Sequence, residues 1–303
     1  MTVATVVIPT FNHGRTLIYS VGSALDQTVQ DIEVFIVGDG VPEVTREIVA
    51  DLVKKDERVR FFDNPKGPRH GEIYRHQALA EARGRIVCYL SDDDLWLPDH
   101  VETLCDLLGE ADYAHTLVIQ VGGEGRLGAL AFDLSYPGER EGVLAGHKGT
   151  SLSCMAHTLE MYRRLPFGWR TTPIGMYTDR YMQQQFLAQP SCRAVSSTRP
   201  TMVHFKSPER NGWSIDERIA ELEEWRRKLA EPEARNRFVY EVLDVVIREQ
   251  VAMRHRFDNS VGLRLYNLLG NLPLIGPAIK FIARGGTPQS IEPTKQARHR
   301  ARR

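Results

Sequence analysis

The feature that most restricts this chain is a rhythm in its first hundred residues, where short apolar runs at 5–8, 32–37, 59–62 and 86–90 each leave into a polar loop. Between them the apolar positions shift to helical spacing: Leu17, Val21, Ala24 and Leu25 follow the first run, and Val44, Ile48 and Leu52 the second. Runs this short, closed by Pro9, by Gly38-Asp39-Gly40 or by Ser91-Asp92-Asp93-Asp94, read as buried strands. Strands alternating with helices form a parallel sheet, because parallel neighbours are joined only by a crossover long enough to hold a helix. A weaker helix is predicted over 73–83. Pro98 suits the first position of another, whose buried face is Val101, Leu104, Cys105 and Leu108.

From about 112 to 210 the pattern loosens into glycines, short strands and loops, as expected where a domain builds a substrate pocket. Helical period returns over 216–256, with Ile219, Leu222, Trp225 and Leu229 on one face and Phe238, Val242, Val245 and Val246 on another, so two helices parted near Pro232 are predicted. The chain therefore divides into two halves of one α/β domain at 1–110 and 111–215, a helical extension at 216–284, and a basic tail at 285–303 expected to be disordered. Within the extension, 261–284 is apolar but interrupted by Asn267, Asn271, Pro273, Pro277 and Lys280, which argues against a membrane span. It reads either as an interfacial hairpin or as a helical pair packed on the domain before it.

Hydrophobic residues make up 42% of the 303, enough to bury a large core and to exclude global disorder. The 39 basic side chains balance 39 acidic ones, so no overall field favours nucleic acid. Cys88, Cys105, Cys154 and Cys192 are widely spaced and read as reduced thiols. With no basic, cleavable apolar segment ahead of the first strand, they point to a cytoplasmic protein.

In an open parallel sheet, ligands bind beyond the carboxyl ends of the strands. Three loops at such ends carry polar residues, at 9–14, 38–40 and 91–94. The last is the strongest signal, since three consecutive carboxylates repel one another unless a cation relieves them. Magnesium and manganese prefer carboxylate oxygens together with substrate phosphates, so Asp92 and Asp94, with Asp93 between them, could hold such an ion against a diphosphate. The same acids could instead cap the helix that follows. Asp39 can accept hydrogen bonds from a ribose or base edge, or serve an ordinary turn. A Gly-x-Gly-x-x-Gly fingerprint after the first strand is missing, as is a Gly-x-x-x-x-Gly-Lys loop, which counts against dinucleotide oxidoreductases and P-loop nucleotide triphosphatases.

Taken in order, Val7-Ile8-Pro9-Thr10-Phe11-Asn12, Gln27-Thr28, Asp39-Gly40, Ser91-Asp92-Asp93-Asp94 and Pro98-Asp99 resemble the family 2 glycosyltransferases of GT-A fold. The resemblance is specific over residues 3–110, loose to about 210 and silent beyond. It implies a Rossmann-like mixed, mainly parallel α/β sheet flanked by helices, here with a C-terminal helical extension. It also implies an inverting, metal-dependent transfer from a nucleotide-diphosphate sugar, with a UDP-sugar as the expected donor. The acceptor would be a saccharide, lipid-linked or other hydroxyl, and the setting glycan or cell-surface polysaccharide synthesis.

By that resemblance Pro9, Thr10 and Phe11 would line the base and ribose, Asp39 would bind the base edge, and Arg75 would lie near the donor phosphates. Arg69 is a further donor contact, unless it is a solvated surface arginine. Asp92 and Asp94 would be the metal-linked DxD motif, holding Mn2+ or Mg2+, with Asp93 between them as a donor contact, and His204 could complete the metal shell or sit as a core or surface histidine. Asp179, ahead of the amphipathic run 180–186, would take the acceptor proton or serve as a helix N-cap, and Trp213 could stack on an acceptor sugar or pack. The chain departs from the family pattern at Gly38, where a second acid is usual, at His76, where Asn is usual, and at Thr178, where Glu is usual.

Two other readings use the same features. A nucleotidyltransferase also places acidic metal ligands on a related sheet, but opens with a Gly-rich basic loop that is missing after Ile8. A non-catalytic nucleotide-sugar-binding protein would keep the fold and bind donor without transfer. Peripheral attachment of 261–284 to the inner face of a membrane carrying lipid-linked acceptors, aided by the basic tail, is the further contact the sequence suggests.

Overall fold

The computed structural model describes residues 2–258 together with 268 and 269. The first apolar run becomes β1 (Ala4–Thr10), followed by α1 (Gly14–Leu25), whose Leu17, Val21 and Ala24 turn inward. Then come β2 (Ile32–Gly38), buried throughout, α2 (Glu43–Lys55), β3 (Val59–Phe62), α3 (Glu72–Leu79) and β4 (Ile86–Tyr89). These four strands are parallel, in the order β4-β1-β2-β3. The register Val7↔Phe35 and Val7↔Tyr89 brings their carboxyl ends to one edge. Alternate side chains feed opposite faces, so Val6 and Ile8 join one buried cluster with Leu17, Ile36 and Val49, while Val7 joins another with Phe35, Tyr89, Trp169 and Phe186.

Two local expectations shift. The helix predicted over 73–83 ends at Leu79, where the N–H groups of Ala80, Glu81 and Ala82 bond three residues back and tighten the chain out of the α-helix. Pro98 is not the first helical residue. The backbone is still extended at β5 (Leu95–Trp96), and Leu97 N–H donates to Thr201 O, so α4 (His100–Leu107) begins only after Asp99.

The looser region supplies β6 (Tyr113–His115), β7 (Val118–Val121), β8 (Leu127–Leu130), α5 (Pro137–Leu144), β9 (Met155–Thr158), α6 (Leu159–Arg164), α7 (Thr178–Leu187), β10 (Ala194–Ser196) and β11 (Met202–Phe205). Strand β9 runs antiparallel between β4 and β6, and β10 adds parallel to β6, giving a seven-stranded sheet β10-β6-β9-β4-β1-β2-β3. Residues on both sides of position 110 thus share one sheet, the mixed, mainly parallel α/β architecture expected. A second sheet, β5-β11-β7-β8, joins the strand just after the acidic loop to the strand carrying His204.

The predicted helical pair is α8 (Ile215–Ala230) and α9 (Pro232–Asp258), parted at Glu231. Ser214 opens α8 with a capping box, its hydroxyl accepting from Glu217 N–H while the Glu217 carboxylate accepts from Ser214 N–H. The chain clusters into one compact unit, Met1–Val245, and a second that begins at Val246. Apart from Leu268 and Leu269, the apolar segment 261–284 and the tail 285–303 lie outside the described residues. No helix among the described residues is long and apolar enough to cross a membrane.

Candidate functional site

The polar exits of the parallel strands open into a cleft of about 690 Å³. Its walls gather Pro9, Thr10, Phe11, Asp39, Arg69, Arg75, Asp92, Asp93 and Asp179, residues drawn from positions 9 to 179 of the chain. Asp94 and His204 are held together beside the same acidic loop.

The three aspartates of that loop have three different partners. Asp92 accepts from Thr10 Oγ1 (2.7 Å) and lies 3.1 Å from His13 Nδ1, whose pKa this hydrogen bond raises. Asp93 accepts from Arg218 Nη2 and, at 3.3 Å, from Ser207 Oγ. Burial, then the charges of Asp94 and Asp92, push Asp93 up to about 6. Asp94 is fully buried and accepts from Ser153 Oγ and from the Phe205 N–H (3.0 Å), while His204 Nδ1 sits 3.1 Å from both of its oxygens. Burial works to lower His204, but the Asp94 carboxylate carries it up to about 9.

Of the three expected metal ligands, the fold brings two together. Asp94 and His204 are in contact, whereas Asp92 is engaged with Thr10 and His13. Among the described residues no group of three or more His, Cys, Asp or Glu side chains is arranged to hold an ion. As found, the 3.1 Å contact is an ion pair between a protonated His204 and Asp94, and to hold a divalent cation His204 would first have to give up its Nδ1 proton. Each oxygen of Asp94 accepts one bond from Ser153 or Phe205 and also faces His204 Nδ1 at 3.1 Å. The remaining positions of such an ion would be filled by oxygens from substrate and water.

On the opposite side of the cleft, Asp39 accepts from Gly67 N–H (2.7 Å) and pairs with Lys66. Gly71 makes that packing feasible, since it is left-handed (φ 59°) and a Cβ on it would lie 2.4 Å from Asp39 Cγ. Arg69 is also left-handed (φ 55°), a conformation uncommon for a residue with a side chain, and its Nη2 donates to Met176 O (3.2 Å). It is thus a solvent-exposed arginine that borders the cleft and reaches the Met176 carbonyl.

Arg75 lies on the cleft side of α3, only 5% exposed, with its guanidinium 4.7 Å from the centre of the Trp169 ring. Nη2 donates to His70 O (3.3 Å), but Nε and Nη1 are buried with no partner. Burial lowers the Arg75 pKa, with Glu72 the largest opposing charge. A buried cation with two unpaired nitrogens calls for an anion. Nearby Glu72, wholly buried, accepts from Thr172 N–H (3.3 Å) and Thr178 Oγ1 (3.1 Å), which ties α3 to the start of α7.

Asp179 is the second residue of α7 and accepts from Arg180 N–H (2.9 Å). Burial raises its pKa above that of an ordinary aspartate. Trp213 packs 5.4 Å from the Arg210 guanidinium and is not among the cleft's lining residues. Several residues of this neighbourhood were not singled out from sequence: His13, Lys66, Arg218 and Trp169. For His13 the signal was its place in the first exit loop; for Arg218, which reaches the acidic loop from α8, no local motif exists.

Comparison with known proteins agrees with the geometry. A glucosyltransferase of Campylobacter jejuni, GalNAc(5)-diNAcBac-PP-undecaprenol beta-1,3-glucosyltransferase, is 31% identical over 110 residues, 36% of this chain and 35% of that protein. The putative teichuronic acid biosynthesis glycosyltransferase TuaG of Bacillus subtilis is 32% identical over 111 residues, 36% of this chain and 43% of that protein. The matches thus span well under half of these relatives. In three dimensions, the crystal structure of S. aureus TarS 1–349 in complex with UDP-GlcNAc superposes with a TM-score of 0.55 at 14% identity, covering 93% of this chain and 87% of that one, which establishes the shared fold. Residues 5–167, more than half of the 303, match the family described as glycosyl transferase family 2, and the chain belongs to that family.

Proposed function

We propose that this protein is an inverting glycosyltransferase that moves a sugar from a nucleoside-diphosphate donor, UDP-linked, to an acceptor hydroxyl on a saccharide or lipid-linked glycan during polysaccharide synthesis. One observation carries the reading: Arg75, buried with Nε and Nη1 unpaired, lines the same cleft as Asp92 and Asp93, the combination suited to a diphosphate and its counter-ion. Family membership supports sugar transfer, and the structural likeness to an enzyme solved with UDP-GlcNAc supports a nucleotide-sugar donor. The Campylobacter relative, named for a lipid-linked substrate, supports a similar acceptor class and hence work beside a membrane.

In this mechanism Pro9, Thr10 and Phe11 flank the nucleoside and Asp39 accepts from the base edge. Arg75 binds the diphosphate, with Arg69 bordering it. Asp94 and His204 would hold Mn2+ or Mg2+, which when bound neutralises the departing nucleoside diphosphate. Asp179 removes the proton from the acceptor hydroxyl as that oxygen attacks the anomeric carbon from the face opposite the leaving group, so configuration inverts.

The test is a thermal-shift screen of nucleoside diphosphates with and without manganese, followed by product analysis. Stabilisation by a nucleoside diphosphate that grows with manganese and vanishes with chelator is expected, since a ligand of the folded state alone raises its stability. Transfer should release the nucleoside diphosphate. Release of pyrophosphate would instead mark a nucleotidyltransferase, and donor binding without transfer or donor hydrolysis a non-catalytic binder. Full transfer in excess chelator would remove the metal from the scheme.

A further inference from the structure

The reading above leaves open what fixes the direction of Arg75. Among the described residues no carboxylate forms an ion pair with it, and its single protein hydrogen bond is the 3.3 Å contact with His70 O. A guanidinium so lightly held would turn among several rotamers, and its ordering would oppose every binding event. The Trp169 ring lies against it, 4.7 Å from the Arg75 Cζ.

That indole is held by a chain of buried groups whose proton directions are all forced. His157 Nδ1 lies 3.0 Å from Thr158 O, and a carbonyl can only accept, so Nδ1 carries the proton. His157 Nε2 is then an acceptor and takes the Tyr89 O–H at 2.8 Å. The Tyr89 oxygen in turn accepts from Trp169 Nε1–H, also at 2.8 Å. From the other side, Trp169 N–H donates to Tyr162 Oη (3.0 Å), whose ring stacks on His157 at 5.2 Å with an interplanar angle of 14°. Gly168 allows that approach, because a Cβ there would lie 2.2 Å from Tyr162 Oη. Tyr89, His157 and Trp169 are at most 2% exposed, so water does not compete for these bonds.

We propose that Trp169 is a positioning residue for donor binding. Its indole face holds Arg75 with Nε and Nη1 presented to the diphosphate, and the Tyr89–His157 pair holds the indole. The inference rests on the reading that Arg75 binds the donor diphosphate. Tyr89 ends the same strand that leads into Ser91-Asp92-Asp93-Asp94, so one strand delivers the acidic loop and, through Trp169, the ring against Arg75.

The experiment measures UDP and uridine affinity by calorimetry for the native chain and for Arg75→Ala, Trp169→Leu, Trp169→Phe and Tyr89→Phe. Loss of a desolvated cation–ring contact predicts UDP binding about tenfold weaker in Trp169→Leu with uridine unchanged, and an intermediate loss in Trp169→Phe, which keeps a ring but, like Tyr89→Phe, loses the Trp169–Tyr89 hydrogen bond. Native UDP affinity in Trp169→Leu, or equal loss of UDP and uridine, would overturn the proposal. So would a Trp169→Phe variant as weak as Trp169→Leu. If Trp169→Leu does not fold, Tyr89→Phe decides: weaker UDP with intact uridine supports the chain of contacts, and no change refutes it. Arg75→Ala separates the two readings. Unaltered UDP binding there sinks the diphosphate role itself, whereas loss there with none in the Trp169 variants sinks only the positioning role.

Discussion

Replacing Asp179 with Asn tests the proposed chemistry with little disturbance of shape. The carboxylate oxygen that accepts from Arg180 N–H has an amide counterpart of the same size, so the start of α7 keeps its hydrogen bond and only basicity and charge are lost. General-base assistance contributes about 100- to 10,000-fold, roughly 3 to 5 kcal/mol of barrier, and the variant's turnover should fall by that order. Nucleoside diphosphate affinity should stay near native. The pH profile carries a second signature: a base works ionised, and burial raises Asp179, so the native rate should fall with decreasing pH above the range of an ordinary aspartate, near ~3.9. The variant's residual rate should lack that limb. The assay is initial-rate nucleotide release at saturating donor across pH, with calorimetry as the binding control. Turnover within about tenfold of native, or an unchanged acid limb, would refute the assignment.

Two further outcomes concern stability. His100 is buried against Trp96 and Thr201, and burial lowers its pKa to about 3 from 6.5. Between these values the unfolded chain binds a proton that the folded chain refuses, so His100 supports the fold fully above pH ~6.5 and progressively less as pH falls. Denaturant titrations from pH 6 to pH 4.5 should show a flatter decline for His100→Phe than for native, by up to about 1.4 kcal/mol per pH unit, and parallel curves would contradict this. Ser214→Ala removes the capping box of α8 and should cost about 1 kcal/mol in the same titration; a change below about 0.3 kcal/mol would show the cap to be idle.

The front of the fold was legible because period and punctuation agree there. Strands β1 to β4 and helices α1 and α2 lie where the apolar runs and spacings put them, and Pro232 opens α9 as its ring requires. That Asp39, Asp92 and Asp93 would meet at the cleft was readable for the same reason, since strand exits fix which residues meet at the carboxyl edge, whereas Arg75, on α3, came only from the family resemblance. Strand β9 was not legible, because a four-residue antiparallel insertion between β4 and β6 is decided by which edge is vacant, a property of the assembled sheet. Arg218 shows a different limit, lying 125 positions from Asp93 on a helix whose periodicity reports only its packed face. The acidic triplet shows a third: adjacency in sequence could not show that Asp92 and Asp94 take different partners, because each side chain's rotamer answers to groups brought in from elsewhere.

Asp94, just ahead of β5, and His204, within β11, are 110 positions apart on strands that are stitched to each other, with Leu95 opposite Val203 and Trp96 opposite Met202. Their separation is thus set by a backbone ladder, not by the long excursion of chain between them. Loops within that excursion can lengthen, shorten or change character without spreading these two groups. A lineage could remodel that excursion while the Asp94–His204 pair stays in place.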